Sequence, residues 1–194
     1  MNPNTYPKIS FPAPALQFLG FTQDGKRVFD RFQSHHSLSK DLIRESLGRV
    51  TLRARHFLEV LVRFDRVVGL TRCVTTGPDD RVIYARRKKR NGMSRIVLGR
   101  NPEPCSTVFI VLKQNGDDPA AYTMITGFVG DRPAPEPWDR NATSASLPFW
   151  QRHGLIVHQD EIVQGTEIEE ASLGSGRTWP CLPVTGHNFE RFDR

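Results

Sequence analysis

Cysteine is scarce in this chain of 194 residues: Cys73, Cys105 and Cys181 stand far apart, with no CxxC pair. Structural zinc sites use close-set Cys and His ligands, so this spacing argues against one. An odd, sparse set of thiols fits a reducing compartment rather than a disulfide framework. Long apolar runs are missing too. Nothing reaches the roughly 18 consecutive apolar residues that a spanning helix needs. The start, MNPNTYPKISFPAPALQFLGF, is interrupted by proline and lacks the unbroken apolar core of a signal peptide. These absences point to a cytoplasmic protein, with export by a signal-less route left open. HxxxH and HExxH are absent, and His35-His36 with Asp30 and Asp41 complete no ligand spacing, so neither metal nor cofactor is expected.

What is present is positive charge, unevenly placed. The net charge is +6, yet residues 49–100 hold 14 Arg or Lys against Glu59, Asp65, Asp79 and Asp80, a local net of +10. Residues 131–194 hold 10 acids against 6 bases, a net of −4. A basic middle with an acidic end suggests a polyanion-facing domain and a segment that masks or trims that surface.

Between Leu70 and Gly130 the chain reads LTRCVTT, RVIYARR, SRIVLG, STVFIVLK and AYTMITGFVG, separated by stretches rich in Gly, Pro, Asn and Asp. Short runs of β-branched and aromatic residues so bounded are strand signals, and the short connections predict antiparallel pairing as a meander. Ahead of them, a turn is expected at Asp24-Gly25. Leu38, Leu42, Ile43 and Leu47 then recur at helical spacing, with Ser37 or Ser39 as cap and Gly48 as stop. VTLRAR alternates briefly, but Phe57, Val60, Leu61 and Phe64 follow i, i+3, i+4, i+7, which predicts a second helix. The expected fold is α+β: N-terminal helices packed on one face of a roughly five-stranded antiparallel meander. DRPAPEPWD, with three prolines in nine residues, ends the ladder. The expected organisation is an N-terminal arm over 1–27, a basic core over 28–130, and a Pro-rich then acidic extension over 131–194.

Several residues invite chemistry. His56 suits either a packed histidine or an acid–base group near neutral pH, and His36 is its alternate. Arg86 and Arg87 are strand neighbours and point to opposite faces, so either is the candidate phosphate clamp. Lys88, Lys89 and Arg90 read as a solvated turn that also attracts phosphates, with Arg55 and Arg95 adding charge. Tyr84 offers a ring for base stacking. Thr126 lies in the last strand, and Gly127 after it predicts a bulge or a close approach.

Helices followed by a basic antiparallel sheet, with Arg on an inner strand and a last strand reading M-I-T-G-F, resemble the barnase, EndoU, colicin and RelE group of bacterial ribonuclease toxins over about residues 28–130. The resemblance implies a metal-independent endoribonuclease in which His56 (or His36), Arg87 (or Arg86) and Thr126 cut RNA through 2′-OH attack and a cyclic phosphate. Besides RNA it implies an acidic immunity or antitoxin protein as partner. The alternative is a non-catalytic nucleic-acid-binding or protein-interaction module that uses the basic sheet face.

Overall fold

The computed structural model describes residues 16–30, 38–53, 55–116, 118–173 and 179–180. In chain order the first strands are β1 (Gln17–Phe21) and β2 (Arg27–Asp30), followed by helix α1 (Lys40–Leu47). Next come β3 (Phe57–Arg63), β4 (Gly69–Thr71), β5 (Cys73–Thr75), β6 (Arg81–Arg86), β7 (Met93–Leu98) and β8 (Glu103–Cys105). Then follow β9 (Thr107–Asn115), β10 (Asp118–Val129), helix α2 (Ser146–Trp150), β11 (His153–Leu155) and β12 (Ile168–Glu169). Single turns of 3-10 helix lie at Gln159–Glu161 and Glu170–Leu173. The chain divides into two units, each built from two segments: 1–64 with 107–129, and 65–106 with 130–194.

The first unit is a sheet in the order β1-β2-β10-β9-β3. Only the β2–β10 pair is parallel. The expected turn at Asp24-Gly25 joins β1 and β2, with Gly25 at φ +76°, a left-handed conformation that glycine adopts without a Cβ clash. Ser39 caps α1 by accepting a hydrogen bond from the Leu42 N–H, and Gly48 closes it. Ile43 and Leu47 of α1 are buried, as are Val28, Val108, Ile110, Leu112, Tyr122 and Met124 of the sheet. The expected close approach at Gly127 is present. A Cβ there would lie 3.0 Å from Leu38 Cδ1, and the β10 register shifts between Met124 and Thr126.

The second unit holds a sheet in the order β12-β6-β7-β11-β5 and a two-stranded ribbon of β4 and β8. Strand β6 is buried on both faces, so VIYA reads as a continuous apolar run rather than an alternation. Val74, Val82, Val97 and Ile156 form one apolar cluster, and Ile83, Ala85, Ile96 and Ile162 another. At Gly154 any Cβ would come within 2.5 Å of Val97 Cγ2, so only glycine lets β11 pack there.

The expected fold class fails in two places. The segment from Phe57 is a strand, not a second helix. It pairs with β9 over seven residues, with Leu58, Val60 and Val62 opposite Leu112, Ile110 and Val108. Its apolar positions satisfy a period of two on that face, and the pairing with β9 decides between the two periods. Nor do the five strands after Leu70 form one meander. Strands β5, β6 and β7 share one sheet, whereas β9 and β10 belong to another. After β7 the chain makes β8, which pairs back to β4, and β9 then finds β3. The fold is mainly β, with α1 its one helix of more than five residues among the described ones.

Candidate nucleic-acid interface

Pairing with β7 fixes the direction of every side chain on β6. Tyr84 lies opposite Arg95, Ala85 opposite Ser94 and Arg86 opposite Met93. Alternation then places Tyr84, Arg86, Met93 and Arg95 on one face, and Ala85, Ser94 and Arg87 on the other.

On the second face Arg87 is held by its own unit. Its Nε donates to Ser94 Oγ at 2.9 Å and its Nη2 to Glu136 Oε2 at 3.3 Å. Glu136 is buried, and its Oε1 has no hydrogen-bond partner among the described residues. Burial, with the Glu136 charge adding to it, pushes the Cys73 thiol up to about 11.

On the first face Arg95 has 5% of its side chain exposed and forks onto Glu170, Nε to Oε1 at 2.7 Å and Nη2 to Oε2 at 2.8 Å. Its Nη1 donates to Thr76 Oγ1 and to the His153 carbonyl, both at 2.9 Å. Burial works against the guanidinium charge, but the Glu170 carboxylate outweighs it and keeps Arg95 charged. The Tyr84 hydroxyl also donates to Glu170 Oε1 at 3.1 Å, and its ring meets Trp179 edge-on at a centroid distance of 4.9 Å. Burial first, and the Glu170 charge second, push the Tyr84 phenol up to about 12. Arg86 is half-buried. Its backbone N–H donates to Thr166 Oγ1, while its Nε is buried with no acceptor among the described residues.

Four acids of the C-terminal segment thus each answer one arginine of this unit. Glu161 pairs with Arg72, Glu169 with Arg81, Glu136 with Arg87 and Glu170 with Arg95. Arg100, at the end of the same strand region, is taken by Asp80 and Glu103. The turn from Lys88 to Arg90 is different. Lys88, Lys89 and Arg90 are exposed, and none has a carboxylate partner among the described residues. The Lys88 N–H donates to the Glu161 carbonyl and the Arg90 N–H to the Arg87 carbonyl, so the turn is fixed at both ends. Lys89 sits at φ 65°, an uncommon conformation for a residue other than glycine. Trp138 lies against Gly92 and donates its indole N–H to the Met93 carbonyl, bracing the far side.

The expected catalytic residues are not gathered by any one sheet. His56 and Thr126 lie in the first unit, Arg86 and Arg87 in the second, and His36 falls outside the described residues. His56 is exposed just before β3, and its carbonyl accepts from the Gln114 N–H. Thr126 lies opposite Val111, which in turn lies opposite Glu59. Two strand spacings across and three residues along put the His56 and Thr126 backbones roughly 14 Å apart. Of the expected RNA contacts, Arg55 is exposed in the first unit, but Tyr84 and Arg95 are buried and already bonded. The sequence reading missed the carboxylates that hold these arginines. Their signal was the acidic excess after residue 131, although which acid meets which arginine depends on the fold.

No three His, Cys, Asp or Glu residues come together in a way that would hold a metal ion among the described residues. No described helix is long and apolar enough to cross a membrane. Comparison with protein-family models, with curated proteins and with solved structures found nothing that matches this chain.

Proposed function

We propose that this protein is a non-catalytic binding module that grips the phosphate backbone of nucleic acid through the turn between β6 and β7. The observation that carries this reading is the contrast within one unit. Arg72, Arg81, Arg87, Arg95 and Arg100 each have a carboxylate, while Lys88, Lys89 and Arg90 stand exposed without one among the described residues. Cations already paired inside a protein release few counterions on binding, whereas exposed unpaired ones release theirs and supply salt-dependent affinity. An acidic partner protein of the kind the ribonuclease resemblance implies would be drawn to the same turn. A cytoplasmic setting goes with this reading, since the Cys73 thiol is free.

The test is titration of the pure protein with labelled single-stranded RNA and DNA at several salt concentrations, followed by inspection of the RNA for products in EDTA. Binding should weaken steeply with salt, and replacing Lys88, Lys89 and Arg90 by Ala should flatten the salt slope by about 2, at roughly 0.7 per phosphate contact on a single strand. An unchanged slope would remove the turn as the contact. RNA cleavage in EDTA would instead favour the ribonuclease reading.

A further inference from the structure

Arg95 is a deeply placed arginine whose partner is the more accessible member of the pair: Glu170 keeps 39% of its side chain exposed against 5% for Arg95. The geometry is the planar fork by which a guanidinium recognises any carboxylate or phosphate group. Around it lie further groups suited to a phosphodiester. The Tyr84 hydroxyl points its hydrogen at the same carboxylate oxygen. Arg86 is the diagonal neighbour of Arg95 on the same face, about 7–8 Å away. A buried donor without an acceptor is unfavourable, and Arg86 Nε is such a donor among the described residues. The Tyr84 ring, which meets Trp179 edge-on, lies directly opposite Arg95.

The element that delivers Glu170 is lightly held. It is a single 3-10 turn following β12, a strand of two residues that pairs only Ile168 with Tyr84 and Glu169 with Ile83. The neighbouring Arg81–Glu169 pair has side chains 70% and 47% exposed, a class of ion pair that holds little once water screens it. Among the described strands β12 is the shortest, so it is the part of this sheet with the least pairing to lose on opening.

We propose that Arg95, Arg86 and Tyr84 form a second phosphate-binding cradle, and that Glu170 fills it as an internal stand-in for a nucleic-acid phosphodiester. The acidic segment around Glu170 is then an autoinhibitory strap. It leaves when a phosphate backbone anchored at Lys88–Arg90 reaches along β6 to Arg86 and Arg95. This inference rests on the binding reading above, and it gives the negative charge of the C-terminal segment a task. An occupied site lowers apparent affinity by the fraction of molecules in which the site is open, so removing the occupant raises affinity without adding any contact.

The experiment is a fluorescence-anisotropy titration of short single-stranded oligo(U) and oligo(dT), first with four proteins (wild type, Glu170→Gln, Glu169→Gln, and a turn variant with Lys88, Lys89 and Arg90 changed to Ala), and then with Glu170→Asp and the Glu170→Gln, Arg95→Leu double variant. Thermal melting establishes that each is folded. Glu170→Gln should bind about tenfold more tightly than wild type, while Glu169→Gln, whose partner Arg81 is exposed, should not. Glu170→Asp keeps the charge but is one methylene too short for the fork, and should gain less than Gln. Adding Arg95→Leu to Glu170→Gln should erase the gain. Folded Glu170→Gln with wild-type affinity, while the turn variant loses binding, would overturn the cradle and leave the turn standing. A gain in Glu170→Gln with full binding by the turn variant would overturn the turn and keep the cradle. No binding by any of the four would overturn both.

Discussion

Arg87 and Glu136 face each other across 3.3 Å, with 19% and 9% of their side chains exposed, and Ser94 takes the remaining direction of the guanidinium fork. Removing one member of a buried ion pair leaves the other charge without its partner, at a typical cost of 3–5 kcal/mol. Arg87→Ala should therefore lower stability, by about 2–4 kcal/mol because Arg87 keeps some access to water. Replacing both by apolar residues, Arg87→Met with Glu136→Leu, should recover most of the loss. Urea denaturation of the two single variants and the double variant measures this. A single Arg87→Ala as stable as wild type would mean that the pair is idle.

Trp138 and Gly92 make a different kind of contact, one of shape. A Cβ on Gly92 would lie 2.2 Å from the Trp138 ring, far inside van der Waals contact. The ring is also tied by its hydrogen bond to the Met93 carbonyl, so it has little freedom to retreat. Gly92→Ala should cost about 1–3 kcal/mol, the usual price of overpacking. Because the turn that carries Lys88 to Arg90 ends at this glycine, the variant should also weaken oligonucleotide binding. Both are read from one preparation, by thermal melting and by anisotropy.

Local pattern was enough for some of the fold. Ser39, the spacing from Leu38 to Leu47 and Gly48 defined α1, and Asp24-Gly25 defined the first hairpin, because caps and turns depend on neighbours in sequence. The strand content of β6, β7, β9 and β10 was equally readable. Phe57 to Phe64 was not, since FLEVLVRF fits the helical and the strand period at once and only pairing with β9 separates them. The parallel pairing of Tyr122 with Val28 joins residues far apart in the chain, and no local signal announces it. At the site the charge imbalance was visible. Its resolution into Arg72–Glu161, Arg81–Glu169, Arg87–Glu136 and Arg95–Glu170 was not, because each pair spans a fold-dependent distance in sequence.

Asp80 and Tyr84 make the second unit sensitive to pH at opposite ends. The Asp80 carboxyl is held below its ordinary 3.8, chiefly by the Gly77 N–H, and the Arg100 guanidinium outweighs what burial takes back. A depressed folded-state value means that its contribution is fully present above about pH 4 and fades as pH falls through the folded value. Tyr84 has the opposite sign. Its phenol lies above the ordinary 10.0, at about 12, so the stability it contributes is complete below pH 10 and is lost as pH rises toward 12. An ultraviolet titration of the folded protein should show an ionisation step well above pH 10 that Tyr84→Phe removes. If every tyrosine ionised near pH 10 before unfolding, the enclosure of Tyr84 beneath Glu170 would be disproved.

His56 separates binding from catalysis most cleanly. It is exposed, and it is its carbonyl that accepts from the Gln114 N–H. Surface substitutions of this kind change stability by about 0.5 kcal/mol or less. His56→Ala should accordingly leave the melting temperature and the affinity for oligo(U) as they are, and Thr126→Val should do the same. A general base cannot be removed so quietly, since acid–base groups contribute about 10²–10⁴-fold to a rate. The decisive comparison is RNA incubated in EDTA with wild type and with His56→Ala. Products that form with the first and vanish with the second would make the imidazole catalytic.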